Sequence, residues 1–385
     1  MKRLAIITTH PIQYNAPLFQ LQAQRKIIAI KVFYTWGDTV LKKKYDPGFQ
    51  KNIEWDIPLL EGYDYSFVEN RATDKGSHHF RGIDNPTLIK QIEAWQADAL
   101  LVYGWSFKSH LKAMRYFKGR LPVYFRGDST LLNRNTKLRS IARKYFLKWV
   151  YRYVDKAFYV GTNNKAYFLE HGLKEEQLIF APHAINNSRF NDAEGKYQQQ
   201  AEEWRKQLGI GADEQVLLYA GKLEKVKDLH CLIDAMQLLT NEKLKLVIVG
   251  NGPLEAELKT KAHQNRKILF IGFQNQQMMP VLYRLGDIII LCSQSETWGL
   301  SINEAMASGR PVLVSDKCGC AVDLVKEDIN GRIFPAGNAE ALAHCLVQMN
   351  DKNRLSQMGA ASLRIIQHWS LPVLAQCIEN EIITL

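Results

Sequence analysis

Glu296 and Glu304 are separated by seven residues, and the stretch around them, Ser293-Gln-Ser-Glu-Thr-Trp-Gly-Leu-Ser-Ile-Asn-Glu-Ala-Met-Ala-Ser-Gly-Arg-Pro-Val-Leu-Val-Ser-Asp316, has the layout of a ligand site. An apolar run, Asp287-Ile-Ile-Ile-Leu-Cys292, reads as a strand opening into the polar loop that carries Glu296. Trp298-Gly299 turns the chain into a helix carrying Glu304, and Gly309 followed by Arg310-Pro311 stops it. Gly299, Leu300 and Ser301 then supply helix-start N–H groups of the kind that bind phosphate or other anions. A carboxylate on either side of an anion cradle suits a ligand with hydroxyls at both ends and phosphate between, as in a nucleotide sugar.

Such a site needs strands to hold its loops. Short apolar runs alternate with helical patterns along the chain. In the first half these are Leu4–Thr8, Ile27–Tyr34, Ala99–Tyr103, Pro122–Phe125, Ala157–Val160 and Leu178–Ala181. In the second they are Gln215–Ala220, Leu244–Val249, Ile268–Ile271, Ile288–Cys292 and Pro311–Val314. Most are nearly continuous in Val, Ile, Leu or aromatic residues, which marks strands covered by helices on both faces of a parallel sheet. A chain of 385 residues is too long for one ordinary core. The expectation is an α/β protein of two Rossmann-like domains: 1–185, a polar linker at 186–211, and 212–368, followed by a terminal helix at 369–385.

The continuation Glu304-Ala-Met-Ala-Ser-Gly-Arg-Pro-Val, then Asn330-Gly-Arg-Ile-Phe-Pro335, together with Glu296 and Glu304 resembles retaining glycosyltransferases of the GT-B fold, most closely family 4. The resemblance covers the second half well; the first half matches mainly in strand order. It implies two domains facing each other across a cleft, with the terminal helix crossing back to the first domain. It also implies that Glu296 contacts the transferred sugar and Glu304 holds the nucleotide ribose. Gly221-Lys-Leu-Glu-Lys-Val-Lys-Asp228 is similar to the family's Gly-Lys loop, with Lys222 and Lys227 in the matching places and Lys225 surplus. Such lysines would stabilise the charge that grows on a leaving diphosphate, so neither a metal nor another cofactor is expected; the nucleotide sugar is a co-substrate. Val247-Ile-Val-Gly-Asn-Gly252-Pro reads as a strand and a glycine turn whose backbone passes close to a neighbour or ligand. Ile271-Gly272-Phe273 resembles the place where the base is held by backbone groups. A UDP-sugar is favoured over a GDP-sugar as the commoner donor class.

Two departures from the family concern the acceptor side. After the first strand, Thr8-Thr-His10-Pro replaces a glycine-rich loop, and His10 either contacts acceptor or phosphate or is structural. After Val123-Tyr-Phe125 the family's histidine is replaced by Arg126-Gly-Asp128. Arginine is no base at neutral pH and would bind phosphate or carboxylate. Asp128 either orients Arg126, holds a sugar hydroxyl or caps a helix. Trp105 is either a platform for a sugar face or core.

Charge is uneven. Residues 1–190 hold 30 Lys and Arg against 16 Asp and Glu, a net of +14, while the remainder holds 20 against 23, a net of −3. The basic half favours an acidic glycan or a phospholipid surface, and no nucleic-acid partner is expected. Leu138–Lys156 reads as an amphipathic helix. One stripe is Arg139, Arg143, Lys144, Lys148 and Arg152; the other is Leu138, Ile141, Tyr145, Phe146, Trp149 and Tyr153. It fits either an anionic membrane surface or a helix burying its apolar stripe.

All six cysteines lie in the second half, and no partner is spaced to make Cys318-Gly-Cys320 a metal site. A strand at once, Arg3-Leu-Ala-Ile-Ile-Thr-Thr9, and no membrane-length apolar run lead to the expectation of a cytoplasmic protein, peripheral at the inner membrane face if the basic helix serves there. The function expected is transfer of a sugar from a nucleotide-diphosphate donor to a glycan or lipid-linked glycan in surface polysaccharide or lipopolysaccharide synthesis. Two alternatives stay open: a sugar-nucleotide epimerase of the same fold, and a silent nucleotide-sugar-binding protein. Interconversion of a donor would mark the first, binding without turnover the second.

Overall fold

The computed structural model describes residues 1–38, 44–46, 48–132, 137–263 and 265–385; the side chains of Lys44, Tyr45, Ile53, Lys137, Leu138 and Arg139 lie outside that description. The chain divides into two units. One takes Met1–Lys43, Pro58–His183 and Leu371–Leu385; the other takes Lys44–Ile57 and Ala184–Ser370.

In chain order the strands of the first half are β1 (Arg3–Thr8), β2 (Ala29–Tyr34), β3 (Lys44–Asp46), β4 (Lys51–Ile53), β5 (Asp64–Phe67), β6 (Ala99–Tyr103), β7 (Val123–Arg126), β8 (Lys156–Tyr159) and β9 (Leu178–Phe180). All but β3 and β4 form the parallel sheet of the first unit, in the order β5-β2-β1-β6-β7-β8-β9. Its central strands bury successive side chains: Leu4, Ala5, Ile6 and Ile7 are fully buried, as are Ala99 to Val102. Only a sheet covered on both faces permits that.

The second unit contains β10 (Gln215–Ala220), β11 (Leu244–Val249), β12 (Ile268–Ile271), β13 (Ile288–Leu291), β14 (Val312–Ser315) and β15 (Gly331–Phe334). They form a second parallel sheet, β12-β11-β10-β13-β14-β15. β3 and β4, an antiparallel hairpin, belong to this unit although their sequence interrupts the first.

The stretch 186–211, expected as a linker, lies within the second unit. Its helix Lys196–Gln207 packs on the helix Met279–Leu285, and Arg205 Nε donates to the Leu285 carbonyl at 2.9 Å. The helix Leu371–Ile383 joins the first unit and packs on the helix Ala16–Arg25. Leu374, Ala375, Ile378 and Ile382 form its buried stripe. Glu379, 1% exposed, accepts from Arg25 Nε through both carboxylate oxygens, at 3.1 and 2.9 Å.

The helix Lys137–Tyr151 differs from its expected orientation. Leu147, Val150 and Tyr151 face the core, while Ile141, Tyr145 and Phe146 are 55%, 69% and 44% exposed. The first unit buries Leu147, Val150 and Tyr151, which stood in neither expected stripe, and packs the half-buried Trp149 and Tyr153 of the apolar one against the same core. Arg139 and Leu138, assigned to those stripes, have side chains outside the described residues. Among the described residues, no helix is long and apolar enough to cross a membrane.

Candidate functional site

In the second sheet β10 has its chain successor β11 on one side and β13 on the other. The connections diverge there, and the loops at the carboxyl ends of β10 and β13 flank the crevice where such sheets bind ligands. The first loop is Gly221–Asp228, the second Cys292–Gly299. They carry Lys222, Lys227 and Glu296.

Lys227 Nζ and Glu296 Oε2 form an ion pair, each side chain about a fifth exposed at 20% and 19%. The two loops are joined behind it. Gln294 N–H donates to the Val226 carbonyl at 2.9 Å, and the Cys292 thiol donates to the Lys227 carbonyl at 3.0 Å. The Glu296 backbone is fixed from its other side: its N–H donates to Lys317 O at 3.1 Å and its carbonyl accepts from Gly319 N at 3.0 Å. Gly319 is needed for that approach, because a Cβ there would lie 1.8 Å from Thr297 O. Cys318-Gly-Cys320 therefore positions Glu296. Both thiols are buried, and burial pushes the Cys318 thiol up to about 12 and Cys320 well up.

Glu304 is 3% exposed and accepts from Tyr283 Oη at 2.7 Å. Its helix, Leu300–Ala307, starts at Gly299, whose φ of +103° is open to glycine, and a Cβ there would lie 2.6 Å from Leu291 Cδ2. Its other end closes with Arg310 N donating to Ala305 O and Gly309 N to Met306 O, both at 3.0 Å, with Gly309 at φ +70°. This is a Schellman end of the kind its Gly-Arg-Pro sequence implies. Leu300 and Ser301 occupy the first turn, where helix geometry provides no internal acceptor for the N–H groups.

Glycines also shape the loop after β11. A Cβ on Gly250 would lie 1.9 Å from Gly221 O, and one on Gly252 would lie 2.6 Å from Leu223 O. The turn thus lies directly against the Lys222 loop. Phe273, expected to offer its backbone to a base, donates its N–H to Asn251 Oδ1 at 2.8 Å, and Gly272 O accepts from Gln274 Nε2 at 3.2 Å.

Two residues at this site were not foreseen. Both oxygens of Asp46 accept from Lys222 Nζ, at 2.9 and 3.1 Å, and the Phe49 ring lies 5.0 Å from the same nitrogen. Partial burial works to raise the Asp46 pKa. The bond from Lys222, with those from the Phe49 and Gly48 amides, outweighs it and holds the carboxyl below its usual range. The available signal, Asp46-Pro-Gly48, marks a turn and says nothing of a lysine 176 residues away.

The candidates in the first unit are differently placed. Its sheet reverses direction between β1 and β6, and the loops there carry His10 and Trp105. His10 Nδ1 lies 2.8 Å from Thr9 Oγ1, with its ring edge-on to Trp36 at 5.1 Å. Trp105 packs half-buried against the core and edge-on to Phe146 at 5.4 Å. Arg126, expected to bind an anion, is 5% exposed; Nη1 and Nη2 each donate at 2.9 Å to the carbonyls of Ala181 and Pro182. Burial lowers its pKa, with Tyr103 and Asp128 opposing. Asp128 thus acts on Arg126 electrostatically.

Behind this crevice sits a histidine that sequence reasoning missed. His110 is fully buried, with Nδ1 2.8 Å from Gly104 O and Nε2 2.8 Å from Thr35 Oγ1. A carbonyl only accepts, so Nδ1 carries the proton of the neutral ring. Burial pulls the His110 pKa down to about 4, keeping the ring neutral. Among the described residues, Asp74, His78 and His79 bring ligand atoms within 4.8 Å of one another on the surface of the first unit.

Residues 200–362 match the family model described as Glycosyl transferases group 1. An uncharacterized glycosyltransferase of Methanocaldococcus jannaschii is 33% identical over 144 residues, 36% of this chain and 37% of that protein. The O-antigen chain mannosyltransferase C of Escherichia coli is 28% identical over 172 residues, 43% and 44% of the two. The chain spans under half the length of these curated relatives. The crystal structure of HepE from Anabaena in complex with UDP and glucose superposes with a TM-score of 0.72 at 17% identity, covering 100% of both chains. At that identity the likeness establishes the fold, which is GT-B.

Proposed function

We propose, on the premise that residues 200–362 are a glycosyl transferases group 1 domain, that this protein is a retaining glycosyltransferase. It takes a sugar from a nucleotide-diphosphate donor, a UDP-sugar before a GDP-sugar, and moves it to a glycan or lipid-linked glycan of a surface polysaccharide or lipopolysaccharide. The observation that carries this reading is the Lys227–Glu296 pair where the second sheet reverses. The Escherichia coli relative, an O-antigen chain mannosyltransferase, supports the acceptor class, and UDP in HepE supports the donor.

In this mechanism Lys222 and Lys227 take the diphosphate, and their fixed charge favours the transition state, where negative charge grows on the leaving group. Glu296 orients the sugar hydroxyls and spreads positive charge as the anomeric bond breaks. The acceptor hydroxyl attacks from the face that the diphosphate leaves, and a phosphate oxygen takes its proton. Glu304 holds the ribose, exchanging its bond from Tyr283 for one from a sugar hydroxyl. Since lysines neutralise the diphosphate, the reaction proceeds without a metal ion.

Incubation with a panel of radiolabelled nucleotide sugars, with and without EDTA, tests this. Slow hydrolysis of one donor, unchanged by EDTA, is the expected result. Donor interconversion would replace it with an epimerase, and a rate lost in EDTA and restored by magnesium or manganese would overturn the metal-free mechanism.

Peripheral attachment to an anionic bilayer is part of the proposal. Exposed Ile141, Tyr145 and Phe146 beside Arg143 and Lys148 make the mixed apolar and basic surface that such a bilayer attracts. Vesicles containing anionic lipid should sediment the protein and release it at high salt. Unchanged sedimentation after Arg143→Glu with Lys148→Glu would reject this helix as the contact.

A further inference from the structure

The chain leaves the first unit after Lys43, gives Lys44–Ile57 to the second, and returns at Pro58. This excursion is fastened along its length to the loops assigned above to the donor. At its tip the Asp46 carboxylate accepts from the Gly48 and Phe49 amides, at 2.8 and 3.1 Å, and holds Lys222 Nζ through both oxygens. Gly48 sits so close that a Cβ would lie 2.6 Å from Lys222 Nζ and 2.3 Å from Glu224 Oε1. The Phe49 ring meets Phe273 edge-on at 4.9 Å, and Lys51 Nζ lies 5.4 Å from the same Phe273 ring. Further along, Asn275 Nδ2 donates to Glu54 O at 2.7 Å, and Gln277 donates to Asp56, from N–H to the carboxylate at 3.2 Å and from Nε2 to the carbonyl at 2.7 Å.

An ionised carboxylate on Lys222 and an aromatic ring on Phe273 resemble, in charge and shape, the diphosphate and base of a nucleotide. We propose that the 44–57 excursion is an internal competitor for the donor. In it Asp46 holds Lys222 in place of the diphosphate and Phe49 covers Phe273 until nucleotide displaces both. The inference rests on the donor site proposed above. Asp46 is then a positioning residue, acting through Lys222. The pair is about a third exposed on each side, 34% for Lys222 and 30% for Asp46. Water therefore screens it, and competition from such a pair amounts to about threefold to fivefold in affinity. A diphosphate, with more than one negative charge and a second lysine to meet it, overcomes a bias of that size. The contact raises the donor concentration needed and does not lock the site.

Calorimetric titration of the full chain with UDP, GDP and the matching nucleosides tests this, on the wild type and on Asp46→Asn and Asp46→Glu. The expected result is threefold to fivefold tighter diphosphate binding by Asp46→Asn, an unchanged nucleoside affinity, and wild-type behaviour of Asp46→Glu. Hydrogen exchange at the Gly48 and Phe49 amides of the wild type should speed up when diphosphate is added. Equal or weaker diphosphate binding by Asp46→Asn would overturn the proposal, and so would a parallel gain for the nucleoside, which marks a general opening. If the wild type binds UDP or GDP, Lys227→Ala loses it and Asp46→Asn changes nothing, the competitor alone is refuted. If neither the wild type nor Asp46→Asn binds either diphosphate, the donor site fails and the competitor with it. Matching urea unfolding midpoints of the three proteins guard the comparison.

Discussion

The two sheets reverse direction in the same way, β10 against β13 in one unit and β1 against β6 in the other, yet they place opposite chemistry at the reversal. In the second unit an ion pair, Lys227–Glu296, stands there with about a fifth of each side chain open to solvent. In the first unit the loops bring a histidine paired with Thr9 and a half-buried tryptophan, backed by the neutral, fully buried His110. One reversal thus carries formal charges and the other carries rings and dipoles. A shared strand order tells where a ligand binds and nothing about what it is; the side chains at the reversal decide that.

The sharpest way to break this contrast is to remove the charges. Lys222→Ala and Lys227→Ala should each lower kcat by about two to three orders of magnitude, read as donor turnover, because a transition-state charge partner is lost. A full-speed Lys227→Ala would move the diphosphate elsewhere.

Acid probes the other unit. Folded His110 takes a proton only near pH 4, whereas an unfolded histidine takes it near 6.5. Between those values the unfolded chain binds the extra proton, so stability falls as pH drops from about 6.5 to about 4, by about 3 kcal/mol at most for this group. Urea unfolding at pH 7 and pH 5 should show that slope, and His110→Gln should lessen it, leaving the part due to His171 and His183, which burial shifts in the same direction. Identical slopes in the two proteins would remove His110 as the cause.

The smallest effect separates the two glutamates. Glu304→Ala should weaken UDP binding by about tenfold, the loss of a hydrogen bond to a charged group, while Glu296→Ala should chiefly lower turnover. Equal, small changes in both would dissolve the distinction between ribose and sugar contacts.

Local geometry was legible in the sequence, and long-range pairing was not. Gly299 and the Gly309-Arg310-Pro311 stop fulfil in the structure the turn and helix end that their residue types require, because both depend on neighbours a few positions away. The central strands were readable for the same reason. β5 and β15, which were not anticipated, are edge strands, only partly buried and without a continuous apolar run. The helix Lys137–Tyr151 has two apolar stripes, and periodicity alone does not say which one meets the core. Arg126 is an arginine in a loop by sequence, and only the fold shows the Ala181 and Pro182 carbonyls that it satisfies. The Asp46–Lys222 pair joins positions 176 residues apart, and no local pattern records it.

The threading of the chain has a consequence for synthesis. The first unit needs the helix Leu371–Ile383, whose Glu379 pairs with Arg25 from 354 residues away. The second needs Lys44–Ile57, made long before its own sheet. Nascent chains usually complete the N-terminal domain while the next is being translated. Here the first sheet can form early, but the surface that Leu374, Ala375, Ile378 and Ile382 cover stays bare until the whole second unit has been made. The two units therefore finish together, and a fragment cut at residue 183 would leave one incomplete and the other without its hairpin.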